Sequence, residues 1–144
     1  MHIPDGFLST NVWGAGWLIS VIGISYCLKK VSKILKDRMI PLMGVMASFI
    51  FAAQMINFPV LGGTSGHLLG AVLATVLLGP YAGAVVITVV LTAQCFIFQD
   101  GGLTALGVNI FNMAIVGCFI GYFIYNIIRK VIKNRTGVLI GVII

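Results

Sequence analysis

Long apolar runs, separated by short polar stretches, dominate the pattern of this 144-residue chain. A transmembrane helix needs about 20 apolar residues, so runs of this kind predict membrane-spanning helices. A further apolar run begins near Gly137 and stops at Ile144. We therefore predict an all-α, polytopic transmembrane helical bundle, in one domain over residues 1–144, with about five complete spans and a truncated sixth. The five spans are predicted at residues 12–28, 40–56, 68–78, 82–98 and 103–128.

Composition supports lipid as the solvent of this chain. Only 8% of the residues are charged, and the mean hydropathy is +1.13, whereas a soluble domain carries roughly 25% charged residues. The net charge of +6 comes mainly from basic blocks at residues 29–38 and 129–135, and both blocks flank apolar runs. The positive-inside rule explains such blocks better than phosphate binding does. We expect the bilayer as a partner and no nucleic acid.

The basic blocks also predict a topology. With residues 29–38 in the cytoplasm, five crossings place residues 129–135 on the same side and the N-terminus outside. Both histidines of the chain, His2 and His67, then face the outside together with Asp5 and Asp100.

Met1 and His2 at a free N-terminus form a metal chelator. The α-amine, the deprotonated His2 amide nitrogen and His2 Nδ1 close two fused rings around a divalent ion, and a fourth planar nitrogen completes a square that suits Ni²⁺ or Cu²⁺. The first residues carry Pro4 and Asp5 rather than the basic region of a cleavable signal peptide. Pro4 and Gly6 predict an ordered turn that folds back into the mouth of the bundle.

His67 is the candidate for the fourth nitrogen. It follows a run of glycine, threonine and serine and precedes the shortest predicted span. A span this short suggests that the preceding loop dips into the bundle, which is tolerated where the backbone lines a protein cavity. The hydroxyls of Thr64 and Ser65 are candidates to support a ligand or to orient the imidazole.

Polar residues inside membrane spans are costly and need a reason. A polar second shell around an outward-facing site is one reason, and hydrogen bonding between helices is the alternative for each residue. For Asp100 we favour a second-shell or loop-capping role over direct ligation. We read the three cysteines as buried apolar residues rather than ligands. The second-shell candidates are Gln54, Asn57, Gln94, Asp100 and Asn109.

Two other functions fit parts of the pattern. An intramembrane hydrolase would use Ser65 with His67 and Asp100, although nothing marks a nucleophile elbow. A structural or scaffold subunit would use the small-xxx-small glycine patterns for helix packing and would have no metal role. The chain contains no P-loop motif, so uphill transport would need a partner that hydrolyses ATP.

Four motifs occur in order along the chain. They are MHIPDGFL at residues 1–8, QMINFPV at residues 54–60, GGTSGHLLG at residues 62–70 and DGGLTALG at residues 100–107, followed by Asn109 and Asn112. Together they resemble the CbiM/NikM family, the substrate-binding (S) membrane components of energy-coupling-factor (ECF) cobalt/nickel transporters. The resemblance implies a helical membrane fold with the N-terminus inside the bundle. It also implies metal capture by the Met1 amine, the His2 amide and imidazole nitrogens, and the His67 imidazole.

The same resemblance implies a non-enzymatic importer subunit in a bacterial or archaeal plasma membrane, with Ni²⁺ or Co²⁺ as its substrate. Its implied partners are an ECF transmembrane scaffold subunit, ABC ATPase subunits and, in many systems, a further small membrane subunit. Family members are longer, with about seven spans, whereas this sequence stops within the predicted sixth.

Overall fold

The computed structural model describes residues 2–60 and 64–131, and at residues 59, 60, 64 and 65 it describes the backbone alone. Helices dominate these residues, which confirms the all-helical class, and a small antiparallel hairpin pairs Phe58 with Gly66. The elements are α1 (Thr10–Ile34), α2 (Met39–Met55), β1 (Phe58–Val60), β2 (Thr64–Gly66), α3 (Ala71–Leu78), α4 (Pro80–Phe98) and α5 (Leu106–Val131).

The expectation of five complete spans is wrong within the described residues. Three helices (α1, α4 and α5) are long and apolar enough to cross a membrane, α2 is an apolar helix of 17 residues, and α3 has only eight. Eight helical residues cover about 12 Å, less than half of a hydrocarbon core about 30 Å thick. The predicted helix at residues 68–78 starts late because Gly70 adopts a left-handed φ of +73° before α3. The predicted sixth span lies outside the described residues.

Helix α3 begins deep inside the bundle. Ala71 lies against Gly117 of α5, where an added Cβ would stand 3.1 Å from the Ala71 side chain. Gly117 is two helical turns beyond Asn109, which is about 12 Å along α5. The chain therefore enters the bundle through the hairpin and a non-helical segment, and it becomes helical only part-way across. This agrees with a loop that dips into the bundle.

Helices α1 and α5 run parallel and in close contact. The contact passes through glycines: Gly16 lies against Val108, Gly107 against the backbone of Trp17, and Gly23 against Ile115. The Ser20 hydroxyl adds a hydrogen bond of 2.6 Å to the Gly107 carbonyl oxygen. Small residues allow membrane helices to approach closely, so that backbone polar groups meet. As a result the start of α1 lies beside the start of α5.

A π-helical segment interrupts α5 at Ile110–Val116, directly after Asn109. Such segments are rare and are frequent at functional sites. Beside it lies a cavity of about 290 Å³ that reaches α3 and the N-terminal segment. The residues that line this cavity include Ile3, Leu69, Asn109, Asn112 and Met113.

The contact between α1 and α5 can be tested at Gly107. A Cβ at this position would stand 2.6 Å from the Trp17 backbone nitrogen and Cα, and backbone cannot move aside cheaply. We expect Gly107→Ala to destabilise the fold by about 1–3 kcal/mol through overpacking. Thermal unfolding in detergent measures this. Gly44→Ala in α2 is the control, because nothing lies within 4 Å of its added Cβ. Equal melting of the two variants would contradict the close contact.

Candidate metal centre

The N-terminal segment, residues 2–6, is folded onto the connection between α4 and α5. The Ile3 N–H donates to Asn109 Oδ1 at 2.9 Å, and Asn109 Nδ2 donates to the Ile3 carbonyl oxygen at 3.2 Å. The Gly102 N–H donates to the same carbonyl at 2.9 Å. Because Asn109 is buried, these bonds form away from water. The backbone of Ile3 is thus held on both of its polar sides.

Asp5 forms a second anchor for this segment. Its carboxylate accepts hydrogen bonds from the backbone N–H groups of Leu103 and Thr104, at 3.0 and 2.8 Å, and from the Thr104 hydroxyl. The hydroxyl bond and then the backbone bonds lower the pKa of Asp5. These N–H groups precede α5, where a helix leaves donors without internal partners. The sequence placed Asp5 on the outer side but gave it no partner.

His2 and His67 meet inside the bundle. Their ring centroids lie 5.2 Å apart, the His2 side chain is 3% exposed and His67 is 9% exposed. His67 Nδ1 lies 2.9 Å from the Leu68 carbonyl oxygen, to which it donates in the Nδ1–H tautomer. His67 Nε2 then carries a lone pair and has no hydrogen-bond partner in the described chain. A second-shell carbonyl that fixes the tautomer in this way is typical of a metal-binding histidine.

His2 Nδ1 lies 2.9 Å from Asp100 Oδ1. This is within ion-pair distance, but the ring nitrogen is not aligned for a hydrogen bond, and neither His2 ring nitrogen has such a partner among the described residues. Burial lowers the pKa of His2, and the nearby Asp100 carboxylate offsets part of that effect. Burial thus favours the neutral His2 imidazole, which is the form that binds metals.

Two glycines make room for this arrangement. Gly101 has a φ of +95°, and a Cβ there would stand 2.9 Å from the His2 Cβ. A Cβ at Gly102 would overlap the backbone and carboxylate of Asp5. The run of Asp100, Gly101 and Gly102 thus supplies a carboxylate beside His2 and then backbone close enough to seat the N-terminal segment. A glycine pair next to a carboxylate was the sequence signal for this contact.

The other predicted residues differ in their burial and in their hydrogen bonding. Gln54 is fully buried, and its Nε2 donates to the Leu69 carbonyl oxygen at 2.8 Å, while its Oε1 has no partner in the described chain. Gln94 is fully buried, and neither of its amide atoms has a partner there. Asn57 is exposed beyond the end of α2, directly before Phe58, which pairs with Gly66 beside His67. Met1 and the side chains of Thr64 and Ser65 lie outside the described part.

Side chains alone do not form a metal site here. Within residues 2–60 and 64–131, no three His, Cys, Asp or Glu side chains converge to hold an ion. Cys27, Cys95 and Cys118 are free and buried, as the sequence predicted. An ion bound between the histidines would need further ligands from the backbone of the N-terminal segment.

Comparison with protein families gives this arrangement a context. The family model of CbiM, described as the cobalt uptake substrate-specific transmembrane region, matches residues 2–144. The chain belongs to the CbiM family. This confirms the resemblance carried by the four sequence motifs, and it agrees with a multi-pass membrane protein.

Two relatives carry metal-transport names. An Archaeoglobus fulgidus protein, provisionally named fused nickel transport protein NikMN, is 45% identical over 141 residues, covering 98% of this chain and 47% of its own length. The cobalt transport protein CbiM of Acetoanaerobium sticklandii is 39% identical, covering 94% of this chain and 56% of its own. The chain thus spans about half of the length of these CbiM relatives.

Solved structures share the fold. A structure described as a truncated transition metal transporter is 36% identical, with a TM-score of 0.89, covering 99% of this chain and 69% of that one. A second, described as a transition metal transporter, is 37% identical with a TM-score of 0.90, covering 98% of this chain and 63% of that one.

The Asp5 anchor predicts an acid limit for docking of the N-terminal segment. Because the folded pKa of Asp5 is lowered from its ordinary value of 3.8, its contribution is complete above that pH and is lost as the pH falls through the folded value. We expect the backbone amides of residues 3, 5 and 6 to stay protected from hydrogen exchange, relative to their intrinsic rates, through pH 4 and to lose protection only in stronger acid. Asp5→Asn should raise this exchange near neutral pH, and its difference from the wild type should vanish in stronger acid, where Asp5 is itself neutral. Asp37→Asn, at an exposed position between α1 and α2, is the control, and equal exchange in both variants would contradict the anchor.

Proposed function

We propose that this chain is the substrate-capturing membrane subunit of an ECF-type importer for Ni²⁺ or Co²⁺ and that it is not an enzyme. The ion is held by four nitrogens: the Met1 amine, the His2 amide, His2 Nδ1 and His67 Nε2. The observation that carries the proposal is the burial of two histidines, ring against ring at 5.2 Å, with unpartnered ring nitrogens. They are the only two histidines of the chain.

The local charge suits a divalent ion bound to a deprotonated amide. Such a complex carries one net positive charge, and an isolated charge is costly to bury. The Asp100 carboxylate, 2.9 Å from His2 Nδ1, provides the balancing charge. His2 Nδ1 turns its lone pair to the ion on binding, and Asp100 remains as a second-shell group. All-nitrogen planar ligation suits nickel, and the names of the relatives support nickel and cobalt as the transported ions.

The placement of charge supports entry from the outside. Asp5 and Asp100 lie at the end of the bundle that holds the histidines, beside a cavity of about 460 Å³ lined in part by Asp5, Gln99 and Gly101. Because α1 and α5 are parallel, Lys29, Lys30, Arg129 and Lys130 lie toward the opposite end. Basic residues favour the cytoplasmic side. We therefore propose a plasma-membrane protein with its N-terminus outside.

The remaining roles follow from this proposal. An ECF transmembrane scaffold subunit and ABC ATPase subunits provide the energy for transport, with a small additional membrane subunit in some systems. This chain itself contains no P-loop motif. The hydrolase alternative is not favoured, because Asp100 approaches His2, which lies beside His67. The proposed second shell comprises Gln54, Asn57, Thr64, Ser65, Gln94, Asp100 and Asn109.

The N-terminal chelate is tested by adding three residues before Met1, since a single added residue would place the histidine third from a free amine and create a new square-planar nitrogen chelate. The extension converts the Met1 amine into an amide and removes one ligand. We expect the native protein to bind one Ni²⁺ tightly, with the yellow absorption of square-planar nickel, and the extended protein to lose that absorption and most of its affinity. Titration in detergent, followed by visible spectroscopy, measures both. His67→Ala should also lose most of the affinity. Unchanged binding in both variants would refute the metal site and favour the scaffold alternative.

Proton competition gives an independent test. Binding releases the proton of the Met1 ammonium and that of the His2 amide. Burial lowers the pKa of His2, so protons compete with nickel for its imidazole less than they would for that of an exposed histidine. Below an ordinary α-amine pKa of about 7.7, we expect the apparent nickel affinity to fall by about a hundredfold per pH unit, since two protons must leave. Titrations between pH 6 and 8 measure the slope, and a flat profile would exclude amide ligation.

A further inference from the structure

We propose that Asn109 is the positioning residue of the metal centre: it holds the Ile3 backbone and thereby keeps His2 in place beside His67. This inference rests on the proposed function. Asn109 touches no proposed ligand through its side-chain hydrogen bonds. It acts through the peptide that joins His2 to Ile3.

The Asn109 side chain makes two hydrogen bonds to one residue of the backbone, as neighbouring strands do in an antiparallel sheet. The planar amide of Asn109 accepts from the Ile3 N–H at 2.9 Å and donates to the Ile3 carbonyl oxygen at 3.2 Å. Asn109 is 4% exposed, so water competes little for either bond. Among polar side chains of this length, only asparagine offers one acceptor and one donor in a single plane. Leucine keeps most of the volume and neither bond, and aspartate keeps the acceptor and loses the donor.

This contact fixes the geometry on which chelation depends. The Ile3 N–H belongs to the His2–Ile3 peptide plane, so the hydrogen bond from it restricts rotation about the His2 Cα–C bond. Two fused chelate rings need the amine, the amide nitrogen and Nδ1 in one plane, and freedom in this segment would be lost on binding. An N-terminal segment that is already docked avoids that loss.

The two anchors of the N-terminal segment, at Ile3 and at Asp5, both lie on well-packed parts of the bundle. Asn109 stands in the first turns of α5, which is packed against α1 through Gly107 and Gly16. Downstream, Asp5 is anchored on Leu103 and Thr104. Pro4, between the two anchors, has a restricted φ. Residues 3–5 are therefore fixed at both ends, and they hold the position of His2, which precedes them.

The experiment compares Asn109→Leu and Asn109→Asp with Asn112→Leu. Asn112 lies three residues further along the same helix, is exposed, and makes no side-chain hydrogen bond within the described residues. All variants carry the native N-terminus. We expect a 10–100-fold loss of nickel affinity in both Asn109 variants, the range typical for partners that orient metal ligands, and a weaker square-planar absorption. Asn112→Leu should match the wild type. In the metal-free proteins, hydrogen exchange should rise at residues 2–5 only in the Asn109 variants.

His67→Ala, measured in parallel, separates the two proposals. If it abolishes binding while both Asn109 variants keep wild-type affinity, absorption and exchange, the positioning role is overturned and the metal site stands. If His67→Ala binds nickel like the wild type, the metal site itself fails. Should Asn109→Leu fold poorly, Asn109→Asp carries the test, because it preserves size and the acceptor for the Ile3 N–H. Wild-type binding by a folded Asn109→Asp would overturn the need for the donor.

Discussion

The close contact between α1 and α5 is the interaction on which the arrangement of the site depends. It brings Gly16 against Val108 and the Trp17 backbone against Gly107, and it aligns the two helices in parallel. Only a few residues separate the N-terminal segment from α1, so its reach is set by where α1 begins. Because α1 begins beside the start of α5, residues 2–5 reach Gly102, Thr104 and Asn109. A different register between the helices would carry His2 away from His67.

Burial of polar atoms is the second constraint. His2, His67, Gln54 and Gln94 all carry side-chain nitrogen or oxygen atoms that are buried without a partner in the described chain. Buried polar groups are usually hydrogen-bonded, so each unpaired group indicates a bound ligand or ordered water. The histidine nitrogens are explained by the proposed ion. The pair of glutamines has no ligand assigned, and water is the simplest partner for amides of this size.

The sequence predicted the helical class, the bundle and the meeting of the two histidines, because hydrophobic runs and rare titratable residues are strong signals in a membrane chain. It overestimated α3 as a span, since hydrophobicity alone does not separate an extended apolar segment from a helix, and Gly70 decides where helix begins. It identified Asn109 and Asp100 as polar candidates without their partners. The Asn109–Ile3 and Asp5–Thr104 contacts join residues about a hundred positions apart, and spacing along a chain does not encode such pairs.

The shortness of α3 has a consequence for how the protein is made. A segment of eight helical residues gives the insertion machinery too little hydrophobic length to be recognised as a span by itself. Helix α4 follows after a single glycine, Gly79, and begins with Pro80, so the two helices form a tight turn. Thr75 of α3 packs directly on Gly83 of α4. Helix α3 must therefore enter the bilayer together with α4, as one helical hairpin. The non-helical segment that holds His67, with the short apolar α3 after it, is thus carried into the membrane by the hydrophobicity of α4 rather than by its own length.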